Sequence, residues 1–215
     1  MRLDSSSCVW LIVFWLGAGS IPAGAVTLGF GCISNNSAAD CAAGEAQVTV
    51  DVADAGGNQI SFTFENAGPV ASSITDVYWD DGGVLAGIFS ITNTPGLVAF
   101  SSPADPGNLP AANDAPPPFQ TTPGFSADSD SPVQANGVNP GEQLVVIFDL
   151  LSGKTFADAI ADLTDGDLRI GVHVQGFASE GGESFVNEPI PEPGTAMLLG
   201  LGLLVLGKTR RSDLS

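Results

Sequence analysis

The alternation of apolar and polar residues in two neighbouring runs constrains this chain most strongly. Apolar side chains occupy every second position over residues 48–52 and again over residues 60–64. Because successive side chains of a strand point to opposite faces, each run predicts a strand with one buried face. Residues 56–58 between them are Gly-Gly-Asn, which suits a tight turn. Residues 46–65 are therefore predicted to form an antiparallel hairpin.

The same kind of pattern, bounded by Gly, Pro, Asn and Asp, predicts further strands over residues 26–30, 73–79, 84–92, 97–101, 142–150 and 168–177. One short helix is predicted after Thr155, because Asp158 lies three residues on, as in a capping box. The sequence thus predicts an all-β fold, an antiparallel β-sandwich of about eight strands and one short helix.

A proline-rich segment interrupts this pattern over residues 102–141. Proline lacks the backbone donor that a central strand needs, so we expect a long surface loop rather than a second domain. The predicted organisation is a single folded body over residues 26–187 between two special ends, residues 1–25 and 188–215.

The body is strongly acidic. Residues 26–187 hold 20 Asp and Glu but only two basic residues, Lys154 and Arg169. Such a surface repels phosphate backbones and offers no cluster of cations to release counterions, so no nucleic-acid partner is expected.

Two cysteines remain in the body, Cys32 and Cys41. An even pair predicts a disulfide if the chain reaches an oxidising compartment, with two free thiols as the alternative. Closing so short a loop is expected to contribute roughly 2 to 3 kcal/mol.

The N-terminus has the order of a secretory signal peptide: Arg2, an apolar run over residues 9–16, and then small residues. Ala23 and Ala25 suit the shallow pockets of a signal peptidase, so the predicted cut lies before Val26. An uncleaved anchor is the alternative, but about ten apolar residues span only ~15 Å of a ~30 Å hydrocarbon core.

The C-terminus has a second ordered pattern. A turn-forming motif comes first, followed by an uncharged short transmembrane segment predicted over residues 195–207 and a basic stop. The motif residues are Pro191, Glu192, Pro193, Gly194 and Thr195, and the basic stop consists of Lys208, Arg210 and Arg211. By the positive-inside rule the basic end stays in the cytoplasm, which leaves the body outside the inner membrane.

This tail resembles the PEP-CTERM sorting signal. The resemblance implies recognition by a membrane peptidase of the exosortase type, in bacteria that make extracellular polysaccharide. It covers only about residues 188–212 and implies no activity for the body.

The candidates for chemistry in the body are few. His173 lies on a predicted strand and is expected to face solvent rather than act as a base. No nucleophile elbow, phosphate loop or zinc-protease motif occurs, so no catalytic residue and no cofactor are predicted. Calcium is the weaker alternative, with loop carboxylates as ligands: Asp128, Asp130, Asp165 and Asp167.

The leading hypothesis is a non-enzymatic protein of the cell envelope, cell surface or extracellular matrix, with a structural or binding role and polysaccharide or surface proteins as partners. One alternative is a secreted polysaccharide hydrolase or lyase, which would need paired carboxylates about 5 to 10 Å apart in a cleft. A calcium-stabilised adhesion module is the other alternative.

Overall fold

A computed structural model describes residues 24–94 and 96–188. These residues form a mostly β structure of two antiparallel sheets with few helices, as predicted. The eleven strands outnumber the eight expected. They are β1 Val26–Leu28, β2 Phe30–Cys32, β3 Val48–Gly56, β4 Gln59–Asn66, β5 Ser73–Asp81, β6 Leu85–Thr92, β7 Phe100–Ser101, β8 Ser126–Ser129, β9 Gln143–Leu150, β10 Leu168–Gln175 and β11 Glu183–Asn187.

The five-stranded sheet has the order β1-β3-β4-β9-β6. The predicted hairpin is its centre, since β3 pairs with β4 and places Val50 opposite Phe64. Val50, Val52, Phe62 and Phe64 are fully buried, whereas the residues between them are partly exposed. The alternation therefore gives one face to the core and the other to solvent.

The six-stranded sheet has the order β2-β11-β10-β5-β8-β7. Its central strand β5 is buried from Ser73 to Trp79, without the alternation of a half-exposed strand. This pattern arises because both faces of the sheet are covered, one by the five-stranded sheet and the other by the proline-rich segment.

The two sheets share a core built around Trp79 of β5. The Trp79 ring centroid lies 4.7 Å from that of Phe148 and 5.4 Å from that of Phe62, both on the five-stranded sheet. These tilted and edge-on contacts are the arrangements that aromatic quadrupoles favour, and they fix how the sheets face each other.

Three α-helices accompany the sheets, where one was expected: α1 Ala38–Gln47, α2 Val133–Asn136 and α3 Phe156–Asp165. The prediction for α3 is confirmed, including the reciprocal capping box between Thr155 and Asp158. Helix α1 was not predicted from the sequence, and its first turn is capped by the Ser37 hydroxyl, which accepts from the Asp40 amide.

The proline-rich segment is more ordered than the expected surface loop. It contains β8, α2 and a short 3-10 helix, and it forms a second small core on the outer face of the six-stranded sheet. Tyr78 of β5 packs there against Leu109 and Phe119. The Arg169 guanidinium holds the segment down by donating to the carbonyls of Pro117 and Pro118, at 2.6 and 2.7 Å.

The two ends of the described body lie side by side. Strand β1 begins at Val26, the residue after the predicted signal cleavage, and the Glu188 amide donates to the Gly29 carbonyl at 3.0 Å. The described residues do not include residues 1–23 of the predicted signal peptide, which spans residues 1–25. They also do not include the predicted sorting motif, transmembrane segment 195–207 and basic stop. Within the described residues, no helix has the length and apolar character needed to cross a membrane.

Candidate functional site

A continuous row of polar residues crosses the six-stranded sheet, one residue from each of five adjacent strands. In register order the row is Ser184, His173, Asp76, Asp128 and Ser101. Residues opposite each other in antiparallel strands have their side chains on the same face, about 4.5 to 5.5 Å apart at Cβ. The pairing therefore gathers an imidazole and two carboxylates on the outer face of the sheet.

The proline-rich segment covers the middle of this row and leaves a cavity of about 250 Å³ above His173, Asp76 and Asp128, which Asp105, Pro106 and Pro110 line from the other side. The amide of Asp105 donates to Asp128 Oδ2 at 3.2 Å, which ties the segment to the row. Asp105 also adds a third carboxylate to the cavity wall. We call this space the acidic cavity.

Asp76 is the most enclosed carboxylate of the acidic cavity, with 7% of its surface exposed. Its two oxygens accept hydrogen bonds from the Thr75 hydroxyl at 2.6 Å and from the Tyr78 hydroxyl at 3.2 Å. Burial raises the pKa of Asp76 above its ordinary value, although the Thr75 hydrogen bond and nearby His173 oppose the shift. The shift makes the protonated form of Asp76 more favourable than it is for an exposed carboxyl.

Tyr78 stays neutral beside Asp76. Burial, and then the negative charge of Asp76, raise the pKa of its phenol. Its hydroxyl also lies 3.1 Å from the Pro106 carbonyl, so the single phenolic proton can be donated either to the segment or to Asp76.

His173 is half-buried under the segment, so the expectation that it faces solvent is wrong. Burial lowers its imidazole pKa, against the opposing pull of Asp76 and Glu183. Its Nδ1 lies 3.0 Å from Ser184 Oγ. The order Ser184, His173, Asp76 is not a working nucleophilic triad, because Ser184 is fully buried and no hydrogen bond joins His173 to Asp76 in the described part of the chain.

A second, larger groove of about 580 Å³ lies at the end of the body where β11 finishes. Ile33, Pro116 and Val186 give it an apolar floor, and Asp165 and Asp167 lie at its wall. We call it the tail-side groove, because Glu188, the last described residue, also lines it.

The structure separates the four carboxylates proposed for calcium. Asp128 lines the acidic cavity, Asp130 accepts from the Ser101 hydroxyl at 2.8 Å, and Asp165 and Asp167 line the tail-side groove. These four do not form one site.

The predicted disulfide between Cys32 and Cys41 is present and joins β2 to α1. The buried Glu183 carboxylate lies beside it and accepts from the Asn36 and Ser37 amides at 3.0 and 2.6 Å. Across the described ranges, only the two cysteines and Glu183 bring three potential metal-ligating atoms together, and both sulfurs are already bonded to each other. This cluster stabilises the start of α1.

Sequence reasoning missed Asp76 and Asp105 as members of a site. Asp76 and Asp128 are far apart in the chain and meet only through the register of β5 with β8. Strand β8 has a single buried apolar side chain, Ala127, so no periodic signal marks it.

The described residues define a mostly β, two-sheet body with a disulfide, a covered acidic cavity and an apolar groove where its last strand ends. Residues 189–211, directly after this body, match the PEP-CTERM protein-sorting motif. The chain is therefore an exported protein that carries an exosortase sorting signal and is held at the membrane transiently before processing. The chain matches no protein with a curated description.

Proposed function

We propose that this chain is a non-enzymatic protein of the cell envelope or extracellular matrix, cut at both ends during export. The sorting motif at residues 189–211 carries the proposal. Its mature form would extend from Val26 to the region of Pro191 to Pro193. Its role there would be structural, or binding to extracellular polysaccharide or to neighbouring surface proteins.

The ends of the fold agree with this proposal. Strand β1 starts at Val26, so a cut before that residue leaves both sheets intact. Strand β11 ends at Asn187, so a cut at Pro191 to Pro193 also falls outside the sheets. Signal peptidase and an exosortase-type peptidase would therefore release the body without breaking a strand.

Three features of the body suit a protein that works outside the cell. A disulfide ties β2 to α1, and the large aromatic side chains are buried between two sheets. Its excess of carboxylates keeps copies soluble and favours contacts through bound cations rather than with anionic polymers.

Intact mass spectrometry of the protein from separate cell fractions of its host tests the processing. The expected mass begins at Val26, ends near Pro191 to Pro193 and is two hydrogens lighter than the reduced chain. Replacing residues 191–193 by alanines is expected to give a longer, membrane-associated form. The matched control is Glu180→Gln, which removes a charge in a turn and leaves the motif unchanged. A wild-type mass that retains residues 198–211 contradicts the proposal.

A polysaccharide hydrolase or lyase is the second candidate, and one observation favours it. Asp76 and Asp128 are direct cross-strand partners in the acidic cavity, so their carboxyl groups face the same space. Burial raises the pKa of Asp76, so it could donate a proton while its neighbour acts as the base.

Release of new reducing ends or unsaturated products from extracellular polysaccharides tests this second candidate. If the pair is catalytic, Asp128→Asn is expected to abolish release, whereas Asp130→Asn retains it because Asp130 is bonded to Ser101 outside the cavity. The absence of products with the wild-type protein on polysaccharide from its own host supports the non-enzymatic proposal.

A further inference from the structure

Of the four sheet edges in the described body, only β6 is long. The other three edge strands, β1, β2 and β7, have three, three and two residues. Strand β6 has eight residues, from Leu85 to Thr92. Short edge strands are one of the ways in which proteins prevent unwanted strand pairing, and β6 lacks that protection.

No described strand pairs with the outer edge of β6. Strand β6 pairs with β9 on one side, and over residues 86–92 no backbone hydrogen bond to any other described residue occurs. Every residue from Ala86 to Thr92 is at least partly exposed. A row of unpaired amides and carbonyls is thus available to a further strand.

The edge also lacks the charges that usually protect such strands. Residues 85–92 read Leu-Ala-Gly-Ile-Phe-Ser-Ile-Thr, with no charged residue and no proline, in a chain with 24 Asp and Glu. Two highly acidic bodies repel each other over most of their surfaces, and this neutral strip is a place where they can approach closely.

Phe89 marks the centre of the strip. Phe89 lies at a bulge between Ile88 and Ser90, and 60% of its surface is exposed, more than for any other large apolar residue of the described chain. The bulges twist β6 and shorten its straight part, which limits the number of hydrogen bonds that an added strand can form. Apolar contact at Phe89 must therefore supply much of the binding.

We propose that β6 is the contact surface for a second copy of this chain, paired antiparallel across a two-fold axis with the two Phe89 rings in contact. An antiparallel edge is self-complementary under a two-fold rotation, so each strand satisfies the other. The five-stranded sheets become one sheet of ten strands. The contact uses the long edge of both copies, so assembly closes at two.

Sedimentation velocity tests the dimer on the protein recovered from its host in its exported form. Over about 1 to 100 μM, a range typical of modest interfaces, the wild-type protein is expected to shift from one to two copies. Phe89→Glu is expected to raise the dissociation constant at least about tenfold, because it places a desolvated charge at the centre. Val70→Glu is the matched control, since it makes the same change at another exposed apolar residue.

Hydrogen exchange gives a second measurement that needs no variant. The amides of residues 86–92 are expected to exchange more slowly at high protein concentration, while those of β1 remain unchanged. A single copy at every concentration, a dimer that Phe89→Glu leaves intact, or exchange in β6 that is independent of concentration overturns the proposal.

Discussion

Arg169 offers the sharpest test of how the proline-rich segment is held. Its guanidinium pairs with the Asp80 carboxylate, donates to the carbonyls of Pro117 and Pro118, and lies 5.4 Å from the Phe119 ring centroid. The side chains of Arg169 and Asp80 are only 14% and 23% exposed, so water screens these contacts weakly. Arg169 therefore provides the charged contacts that hold the roof of the acidic cavity, beside the apolar packing of Tyr78 and Phe119.

Arg169→Met keeps most of the apolar stem and removes every one of these polar contacts. Two charge-assisted hydrogen bonds at about 1.5 kcal/mol each, with a partly buried ion pair at about 1 kcal/mol more, give an expected loss of about 4 kcal/mol. For a body of this size the melting temperature is expected to fall by about 8 to 16 °C. Urea unfolding and calorimetry measure both quantities.

Lys154→Met is the matched control, because it removes the same charge from the only other basic residue of the body. Lys154 forms no ion pair among the residues described, so a change within about 0.5 kcal/mol is expected. A loss below about 1 kcal/mol for Arg169→Met, equal to that of an ordinary surface pair, would refute the view that it fastens the segment. Hydrogen exchange is expected to accelerate over residues 104–119 in Arg169→Met alone.

Three further predictions follow from the packing and the charges. Gly44→Ala places a Cβ 2.2 Å from the Phe185 ring, so a loss of about 1 to 3 kcal/mol is expected by urea unfolding, while Gly29→Ala, with open space around it, changes little. Cys41→Ser is expected to cost about 2 to 3 kcal/mol and to make the melting temperature insensitive to reductant, and a variant that still responds to reductant contradicts this. Asp76→Asn is expected to gain stability relative to the wild type as pH rises. Burial raises the pKa of Asp76 in the folded state above its unfolded-state value, so the protonated carboxyl stabilises the wild-type fold at low pH. This stabilisation is present below the unfolded-state pKa and is lost as pH rises through the folded-state pKa. A difference between Asp76→Asn and the wild type that is the same at pH 4 and pH 8 rules this out.

His173 acts in the opposite direction. Burial lowers its folded-state pKa, so its contribution to stability is present above the unfolded pKa and lost as pH falls below it. His173→Gln is therefore expected to make the free energy of unfolding depend less on pH just below pH 6.5, the ordinary pKa of an imidazole, as measured by urea unfolding.

The elements that the sequence predicts well are those whose signal is local. The hairpin of β3 and β4 follows from period-two alternation, and α3 follows from the capping pair Thr155 and Asp158. Helix α1 was not predicted, because it consists of Ala, Gly and polar residues without a clear apolar stripe. Strand β11 is five residues long and was not distinguished from the surrounding polar sequence.

The acidic cavity could not be predicted, because it depends on the register between β5 and β8 and on the proline-rich segment that covers the sheet. Asp76 and Asp128 meet because β5 pairs with β8, and a shift of one residue would send one carboxylate to the core. His173 was expected to face water because it lies on the face of its strand opposite the apolar Ile170, Val172 and Val174. That alternation does not show that the proline-rich segment lies over the same face. The contacts of Tyr78 with Leu109 and Phe119 show that this segment packs on the sheet.

The hydrogen bond from the Glu188 amide to the Gly29 carbonyl brings the two ends of the described body together. A short linker could therefore join those ends, and the chain could be reopened at the exposed turn around Gly57, at one end of the hairpin. Such a circular permutant would keep both sheets while moving the attachment point of any fused partner. The fold is thus a scaffold whose point of tethering can be chosen independently of its core.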